Sequence, residues 1–480
     1  MKIFKIIVIL TFALVIFNTE ILSAEKQISN NDVDEIVKSN KELGKLPGVS
    51  VVVVDSSNTL YKKNFGYIDK KRKVNSNTLF EVGSNSKAFT SMGILELQEE
   101  GKLNIDDPVK KYIKDFSMIY KGNEKDITIK QLMQHTSGIP FESITKIKPD
   151  DSKSALNKTV KGLEGQELNR PPGEKFEYAT INYDVLGKII EEVSGEPYDE
   201  YMNSMFKKYG LNNTKTENKT IKDTYIKGYK LGFAKPNLYN APTYNGNKPA
   251  GYIVMNSTDM SKWLIYQLNN TNFNKYLTKA NKVPKENNTY YNSGWYVKYE
   301  KNKIASFYHG GSNPNFSSFF LLNKKNDIGI GVLTNLNSAY TENIAKEINE
   351  RLVKNNNDFI GNIKDPFQLI DYFSILFINF ILVIFLTLEI FSYIKLKNMK
   401  YTINSVKSIN TKETIFLASV IFVFLLFLPK ILLSLLDENL TWSLIFIWGP
   451  TSVKYLAFNY YLFIISCFSI FYITFKKDGV

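Results

Sequence analysis

Ser84 and Lys87 are the first residues of this sequence whose types and spacing suggest chemistry. They lie in the stretch Phe80 to Thr90, where a short apolar strand and a glycine turn lead into a predicted helix that ends near Gly101. Three residues are close to one helical turn, so the amine and the hydroxyl share a face. Unpaired N–H groups and the positive end of the helix dipole favour negative charge there. This arrangement can activate a nucleophile without a histidine base.

An isolated serine and lysine at this spacing are more often a helix cap and a solvated side chain. Two further stretches bear on the choice. Tyr178 lies between a proline-glycine turn and a predicted helix, and a nearby ammonium would lower its pKa enough for it to act as a base. His309 ends a predicted strand, and Gly310 and Gly311 after it would let a substrate backbone approach the strand edge.

The three motifs, in this order, resemble the serine β-lactamase and penicillin-binding-protein superfamily, within it the branch of class C β-lactamases, DD-peptidases and related esterases. The similarity covers roughly residues 30 to 355 and includes further landmarks at Leu103–Val109, Leu132–Pro140, Pro172-Gly173 and Phe316-Ser317-Ser318. The resemblance implies an α/β fold, in which an antiparallel sheet is flanked by helices and joined to a mostly helical subdomain.

The resemblance also implies residue roles. Ser84 would be acylated, Lys87 would tune the proton transfer around it, and Tyr178 would be the base or the proton relay to the leaving group. The backbone N–H groups of Ser84 and Ser312 would form the oxyanion hole. His135 lies in another landmark, and we expect it to support packing or a turn.

The substrate-binding positions depart from the family pattern. Thr180 stands where the family often has asparagine, with Asn182 two residues further on as a candidate substitute. His309 occupies the position of a lysine in class C β-lactamases, while Gly310 and Gly311 would keep the strand edge open to substrate. Peptidases and esterases of this branch often carry that histidine, so we do not expect efficient β-lactam hydrolysis.

The composition disfavours several other functions. The formal charge of +13 comes almost entirely from scattered lysines, with arginine only at positions 72, 170 and 351. Nucleic-acid surfaces favour clustered arginine, so we expect no nucleic-acid partner. The single cysteine, Cys467, excludes an internal disulfide, and two histidines leave little material for a zinc site. No metal or other cofactor is therefore expected.

The elements that must position these residues are predicted from periodicity and turn residues. A helix through Leu43 precedes two strands, residues 141 to 170 form a long loop or lid, and a capped helix covers Gly251 to Gln267 with Ser257 or Thr258 as its N-cap. The other predicted elements are an amphipathic segment Val109–Phe116, a helix over Ile127–Pro140 that exits through a glycine and a proline, helices at Tyr183–Val193 and Thr341–Val353, and strands at Gly48–Val54, Leu60–Tyr67, Ala305–Tyr308, Phe316–Leu322 and Ile328–Thr334.

The two ends of the chain predict export and membrane insertion. Residues 1–24 have the basic start, apolar run and small-residue cleavage site of a signal peptide, with an uncleaved anchor as the alternative. Residues 25–355 then form the hydrolase domain, 356–366 a linker, and 367–480 a membrane domain. Its three predicted transmembrane helices are Tyr372–Ile394, Ile415–Leu436 and Tyr455–Phe475.

Charge predicts the orientation of these spans. Several lysines follow the first span, and Lys476 and Lys477 follow the last. By the positive-inside rule, the loop after the first span and the residues after the last span lie on the cytoplasmic side. The hydrolase domain then lies outside the cytoplasm of a bacterial cell, held at the membrane lipid. Glu389 within the first span suggests a polar contact there, with a membrane partner such as an exporter. The alternative is that Glu389 lies near the cytoplasmic end and extends towards Lys395.

The sequence therefore predicts a membrane-anchored serine hydrolase whose substrate is a small D-amino-acid-containing or cell-wall-like peptide. The layout is similar to that of peptidases that mature nonribosomal-peptide prodrugs by removing an N-acyl-D-asparagine cap. It is also similar to that of uncharacterised penicillin-binding-like proteins of bacteria, so the layout alone does not select the substrate. A carboxylesterase is one alternative, and a catalytically silent sensor that binds cell-wall peptides is the other.

Overall fold

The computed structural model describes residues 30–69, 71–216, 227–270, 276, 284, 288–301, 303–354, 363–398, 419–423, 425–427, 430 and 441–477. The predicted signal peptide, residues 1–24, lies outside the described residues, as does most of the predicted linker.

The helices are α1 Asn30–Leu43, α2 Ser86–Glu99, α3 Ile129–Met133, α4 Ala155–Lys161, α5 Ile181–Ser194, α6 Tyr198–Lys208, α7 Lys248–Gly251, α8 Ser257–Asn269, α9 Tyr340–Lys354, α10 Pro366–Asn398, α11 Trp442–Trp448 and α12 Thr451–Lys477. The strands are β1 Gly48–Val54, β2 Thr59–Gly66, β3 Phe80–Glu81, β4 Met118–Tyr120, β5 Asn123–Lys125, β6 Gln166–Glu167, β7 Tyr229–Gly232, β8 Lys235–Leu238, β9 Val254–Met255, β10 Thr289–Asn292, β11 Trp295–Glu300, β12 Lys303–Asn313, β13 Phe316–Asn323 and β14 Ile328–Thr334. Short 3₁₀ turns at Gly83–Asn85 and Phe141–Lys146 matter for the site.

A seven-stranded antiparallel sheet organises the molecule, with strand order β10-β11-β12-β13-β14-β1-β2. Every residue of β1 and β14 is buried, because both faces of the sheet are covered. Val52 and Val54 face the core formed with α2, α5 and α8, whereas Val51 and Val53 face the core formed with α1 and α9. This confirms the predicted α/β class with an antiparallel sheet between helices.

Most predicted elements occur at nearly their predicted positions, and the differences have local causes. The N-cap of α8 is Asn256, whose side chain accepts from the backbone N–H of Asp259, and neither predicted cap residue fills this place. Val109–Phe116 forms only the 3₁₀ turn Val109–Lys111. Residues 141–170 are more ordered than a loop, since they contain a 3₁₀ helix, α4 and β6.

The sequence analysis missed the hairpin formed by β10 and β11. Its two-residue turn consists of Ser293 and Gly294, which both have positive φ (53° and 84°), between the paired Asn292 and Trp295. A serine-glycine pair between alternating aromatic residues is a hairpin signal. That signal was present, and the polar residues before it obscured the strand.

The helices at the C-terminal end correspond only in part to the three predicted spans. One helix, over Pro366–Ile390, is long and apolar enough to cross a membrane by length and composition among the described residues. It contains most of the first predicted span. Most of the second predicted span lies outside the described residues, and the third falls within α12.

Two glycines bring the turn before α2 against the sheet. Gly83 has φ +53°, and a Cβ there would lie 2.5 Å from the backbone nitrogen of Ser312. A Cβ on Gly311 would lie 2.0 Å from the carbonyl oxygen of Val82 and 2.3 Å from Ser318 Oγ. A Cβ on Gly310 would make only ordinary contact with the Phe319 ring, at 3.5 Å. The close approach of the Val82 backbone thus explains why position 311 has a residue without a Cβ.

We predict that Gly311→Ala and Gly310→Ala differ sharply. The first should cost about 1–3 kcal/mol, because backbone atoms must move, and it should slow any reaction at Ser84. The second should change stability by less than about 0.5 kcal/mol. Thermal unfolding of the detergent-solubilised proteins measures both, and equal melting temperatures would contradict the proposed packing.

Candidate active site

Ser84 lies in the 3₁₀ turn Gly83–Asn85 directly before α2, so it precedes the α-helix that was predicted to begin with it. Its neighbours on both sides are buried, whereas Ser84 itself is partly exposed. Asn85 fixes the turn, because its Nδ2 donates to Ser318 Oγ at 2.7 Å and this hydroxyl donates to Val82 O at 2.6 Å. The serine hydroxyl is therefore presented from a rigid, buried support.

The Lys87 amine lies directly beside Ser84. Its Nζ is 3.0 Å from Ser84 Oγ, 3.0 Å from Thr180 Oγ1 and 2.7 Å from Ala250 O. A neutral amine has two hydrogens and one lone pair. It can donate to Ala250 O and Thr180 Oγ1 and accept the Ser84 hydroxyl proton. An ammonium would instead donate to all three oxygens, so the contacts suit either form and the lysine pKa decides between them.

Burial favours this neutral form. The Lys87 side chain is fully buried, and loss of hydration lowers its pKa from 10.5 to about 7. The charge of Asp184 opposes this effect and raises the Lys87 pKa. Asp184 is itself buried, and Asn247, with its amide nitrogen turned towards the carboxylate, donates to both oxygens at 3.1 and 2.9 Å. Lys87 is consequently able to accept a proton near neutral pH.

Tyr178 lies on the other side of this amine, with Lys87 Nζ 5.2 Å from its ring centre. Its pKa is raised well above 10, chiefly because burial disfavours the phenolate, although a hydrogen bond with Ser84 lowers it. The expectation of a depressed tyrosine pKa is therefore wrong. The lysine is desolvated as well, so it does not supply the full positive charge on which that expectation depended. Tyr178 remains a neutral hydroxyl that can donate.

His135 packs against Tyr178, with ring centres 4.2 Å apart and ring planes inclined by 38°. Its Nδ1 accepts from the Ala179 backbone N–H at 3.3 Å and from Asn182 Nδ2 at 3.0 Å. Burial keeps its pKa well below 6.5, so the ring is neutral. Asn182 is occupied by His135 and by Ser137 Oγ, which donates to its Oδ1 at 2.9 Å. His135 supports the position of Tyr178, in agreement with the packing role expected for it.

His309 faces aromatic residues. Its Nδ1 donates to Gly310 O at 2.6 Å, which leaves Nε2 to accept the Tyr291 hydroxyl at 3.0 Å. The ring is stacked on Tyr296, with 5.2 Å between ring centres, and lies 6.1 Å from the Tyr178 ring. The strand β12 continues past it to Asn313. His309 is thus held among aromatic rings next to Tyr178. A direct role of His309 with substrate remains a prediction.

A cavity of about 200 Å³ opens in front of these groups. Ser84, Tyr178, Thr180 and Ser312 all line it, as do residues from the 3₁₀ helix Phe141–Lys146, from α7 and from α11. The two residues expected to supply the oxyanion hole therefore face one space. Among the described residues, His309, Gly310 and Gly311 do not line the cavity.

Sequence reasoning missed three groups that belong to this site. Asp184 lies six residues after Tyr178 inside the predicted helix, where an acidic residue on an apolar face was the available signal. Tyr291 belongs to the hairpin that was not predicted. Leu444 and Trp448 line the cavity from an apolar segment, residues 440–448, that is too short to span a bilayer, and no signal in the sequence connects them with Ser84.

Comparison with known proteins places these features in a family. A family model described as Beta-lactamase matches residues 33–354. Protein flp of Staphylococcus aureus (strain N315) is 32% identical over 449 residues, covering 89% of this chain and 87% of that protein. This alignment covers more of the chain than residues 33–354 do, so it extends beyond that range.

Solved structures show the same fold. An octameric penicillin-binding protein homologue from Pyrococcus abyssi matches with a TM-score of 0.58 and 23% identity, over 68% of this chain and 78% of that one. EstCE1, a hydrolase with promiscuous acyltransferase activity, also has a TM-score of 0.58, with 19% identity over 67% of this chain and 99% of its own.

The lysine environment predicts a pH dependence. Lys87 must be neutral to accept the Ser84 proton, and its pKa is about 7. The rate of Ser84 acylation should therefore be constant above pH 8 and fall by about tenfold per pH unit below pH 6. Fluorophosphonate labelling rates between pH 5 and 9 measure this.

Asp184→Asn provides the matched variant. Burial raises the pKa of Asp184 well above 3.8, but its charged form raises the Lys87 pKa, so removing the carboxylate should move the midpoint of this profile to lower pH. A midpoint that stays in place, or moves upwards, would show that Asp184 does not act on Lys87 in this way.

Proposed function

The chain belongs to the beta-lactamase family of serine hydrolases, and on this premise we propose that it is exported, membrane-anchored and acts through an acyl-enzyme on D-amino-acid-containing peptides. The observation that carries the proposal is the 3.0 Å contact between Ser84 Oγ and the Nζ of a fully buried Lys87. A hydroxyl beside a neutral amine, at the rim of a cavity, has the geometry of an activated nucleophile.

The proposed reaction begins with proton transfer from Ser84 Oγ to Lys87 Nζ as Oγ attacks the substrate carbonyl carbon. The backbone N–H groups of Ser84 and Ser312 stabilise the resulting oxyanion. When the carbon–nitrogen bond breaks, Tyr178 donates a proton to the leaving amine and regains one from the Lys87 ammonium. Water then attacks the acyl-enzyme along the reverse proton path and releases the acid.

The leaving group decides between a peptidase and an esterase. An amine leaving group must be protonated, and the raised pKa of Tyr178 keeps its hydroxyl in the donor form. This favours the peptidase. The carboxylesterase remains the second candidate, supported by the fold shared with EstCE1 and by Thr180, whose hydroxyl accepts from Lys87 in place of an asparagine amide.

The membrane part of the proposal is supported by α10, whose segment Pro366–Ile390 is long and apolar enough to span a bilayer. Its side chains there include exposed Phe373, Phe377, Phe380 and Val383. We propose that it is the first of three spans that hold the hydrolase domain outside the cytoplasm, with membrane lipid around them. An exporter that delivers substrate is the proposed partner.

A substrate screen tests the function directly. The detergent-solubilised protein is incubated with N-acyl-D-asparagine peptides, D-alanyl-D-alanine peptides, their L-amino-acid counterparts and short acyl esters. Cleavage of the D-peptides in preference to the L-peptides supports the peptidase. Turnover of esters alone makes the protein an esterase, and no turnover and no labelling by any acylating probe favours the silent sensor.

We predict that Ser84→Ala abolishes both fluorophosphonate labelling and turnover, with nearly unchanged melting temperature because the residue is partly exposed. Ser312→Ala is the matched control. It removes a hydroxyl that donates to Asn337 Oδ1 at 2.9 Å but keeps the backbone N–H assigned to the oxyanion hole, so labelling should persist. An acyl-enzyme formed by the Ser84→Ala protein would exclude the assignment.

Lys87 and Tyr178 should behave as one unit with Ser84. Lys87→Ala and Tyr178→Phe each interrupt the same proton path, so each should lose most of kcat, and the double variant should lose little more. The measurement is kcat/KM for all three variants. Losses that simply multiply would indicate that one of the two residues acts outside the path.

A further inference from the structure

The walls of the active-site cavity are mostly apolar, although its floor carries the reactive groups. Ile144 and Ile147 form one side, and Tyr244 and Tyr252, stacked with 5.7 Å between ring centres, form another. Leu444 and Trp448 of α11 complete the enclosure. A segment from the C-terminal end of the chain, beyond the residues matched by the family model, therefore belongs to the catalytic cavity.

Helix α11 is held in place at both ends. Thr441 caps its N-terminus, because its Oγ1 accepts from the Leu444 backbone N–H at 3.2 Å. At the other end, Lys230 Nζ from β7 donates to the carbonyl oxygens of Phe446 and Ile447, the latter at 3.0 Å. Carbonyl groups in the last turn of a helix have no partner within the helix, so a buried ammonium is a suitable donor.

The β7–β8 hairpin that carries Lys230 also contacts α10 and α12. Asp371 of α10 accepts from the backbone N–H groups of Phe233 and Ala234, at 2.9 and 2.7 Å, in the turn of the hairpin. A Cβ on Gly232 would overlap Thr451 Oγ1, so α12 begins in close contact with β7. One hairpin of the hydrolase domain thus fixes α10, α11 and α12 relative to the cavity.

We propose that Leu444 and Trp448 are specificity-determining residues that bind an aliphatic acyl chain attached next to the scissile bond, so that the enzyme acts on amphiphilic substrates. This inference rests on the proposed function in that Ser84 is the reacting group. Neither side chain has a role in the proton path, and both face the space that the substrate must enter.

The size and the surroundings of the cavity agree with such a group. A cavity of about 150 Å³ accommodates a benzene-sized molecule, so a space of about 200 Å³ holds a short hydrocarbon segment beside the reacting carbonyl. The hairpin that fixes α11 also binds the first turns of α10, which exposes Tyr372, Phe373 and Phe377. The hairpin therefore connects the helix that carries this apolar surface with the helix that forms one wall of the cavity.

The test compares p-nitrophenyl acetate with p-nitrophenyl octanoate, on the full chain in one detergent. The wild-type kcat/KM should be at least about tenfold higher for the octanoate. Leu444→Ala and Trp448→Ala should remove most of that preference by lowering octanoate turnover much more than acetate turnover. Phe446→Ala is the matched control, since its side chain packs against Trp442 in the same helix and does not line the cavity in the described structure.

An aromatic ester, p-nitrophenyl phenylacetate, distinguishes the chemical class. If Trp448→Ala affects this ester and spares the octanoate, the cavity binds an aromatic group and the proposal is overturned. It is equally overturned if the octanoate preference is the same in the wild type, Leu444→Ala and Trp448→Ala.

A binding measurement separates this proposal from the proposed function. Octanoyl-D-alanine is titrated calorimetrically into the Ser84→Ala protein and into the Ser84→Ala/Trp448→Ala protein, because binding requires no acylation. At least about tenfold weaker binding in the second supports the acyl site even if the wild type cleaves no D-peptide. Equal binding by both proteins overturns the acyl site, even if D-peptides are cleaved.

Discussion

The desolvation of Lys87 is the constraint on which the rest of the site depends. An ammonium in water has a pKa of 10.5, and its displacement to about 7 corresponds to a cost on the order of 5 kcal/mol for charging the buried group. This cost is what makes the lysine a base. The cost is maintained only if water stays excluded, while hydrogen bonds to Thr180 Oγ1 and Ala250 O hold the amine in position. The ability of Lys87 to act as a base near neutral pH therefore depends on the packing around it.

The fold provides that packing through close approaches of backbone. Gly83 and Gly311 allow the serine turn to lie against β12, and the Thr90 hydroxyl donates to Pro249 O at 2.7 Å, which holds α2 against α7. A cluster of aromatic residues around His135, consisting of the buried Tyr183 and Tyr291 and the partly buried Tyr178, fills the far side of the lysine. Each of these contacts excludes water from the amine. The same burial raises the pKa of Tyr178 and lowers that of His135, so burial favours the neutral form of all three titratable groups.

Local pattern predicted the strands and helices that lie in the core. The β-branched run Gly48–Val54 is buried along its whole length, and the motif Ser84 to Lys87 has the geometry that helical spacing implies. Patterns failed where the decisive contact is distant in sequence. The approach of Asp184 to Lys87 and the aromatic layer around His309 depend on tertiary packing of β10, β11 and α5. The sign of the Tyr178 pKa shift was wrong for the same reason, since burial is a property of the assembled core.

The contacts of the β7–β8 hairpin bear on how the chain divides into parts. A division after residue 355 follows the composition, yet Lys230 and Asp371 join the two sides of that boundary by hydrogen bonds to backbone groups. Lys230 is buried, and its pKa is lowered to about 8 by loss of hydration and by the neighbouring Lys454. Its ammonium needs the carbonyl groups of α11, because a buried cation without acceptors is strongly destabilising. If α11 moved away, Lys230 would lose these acceptors, and the cavity would lose the wall formed by Leu444 and Trp448. The hydrolase domain and the C-terminal helices are therefore coupled, because a buried lysine of the first needs hydrogen-bond acceptors from the second.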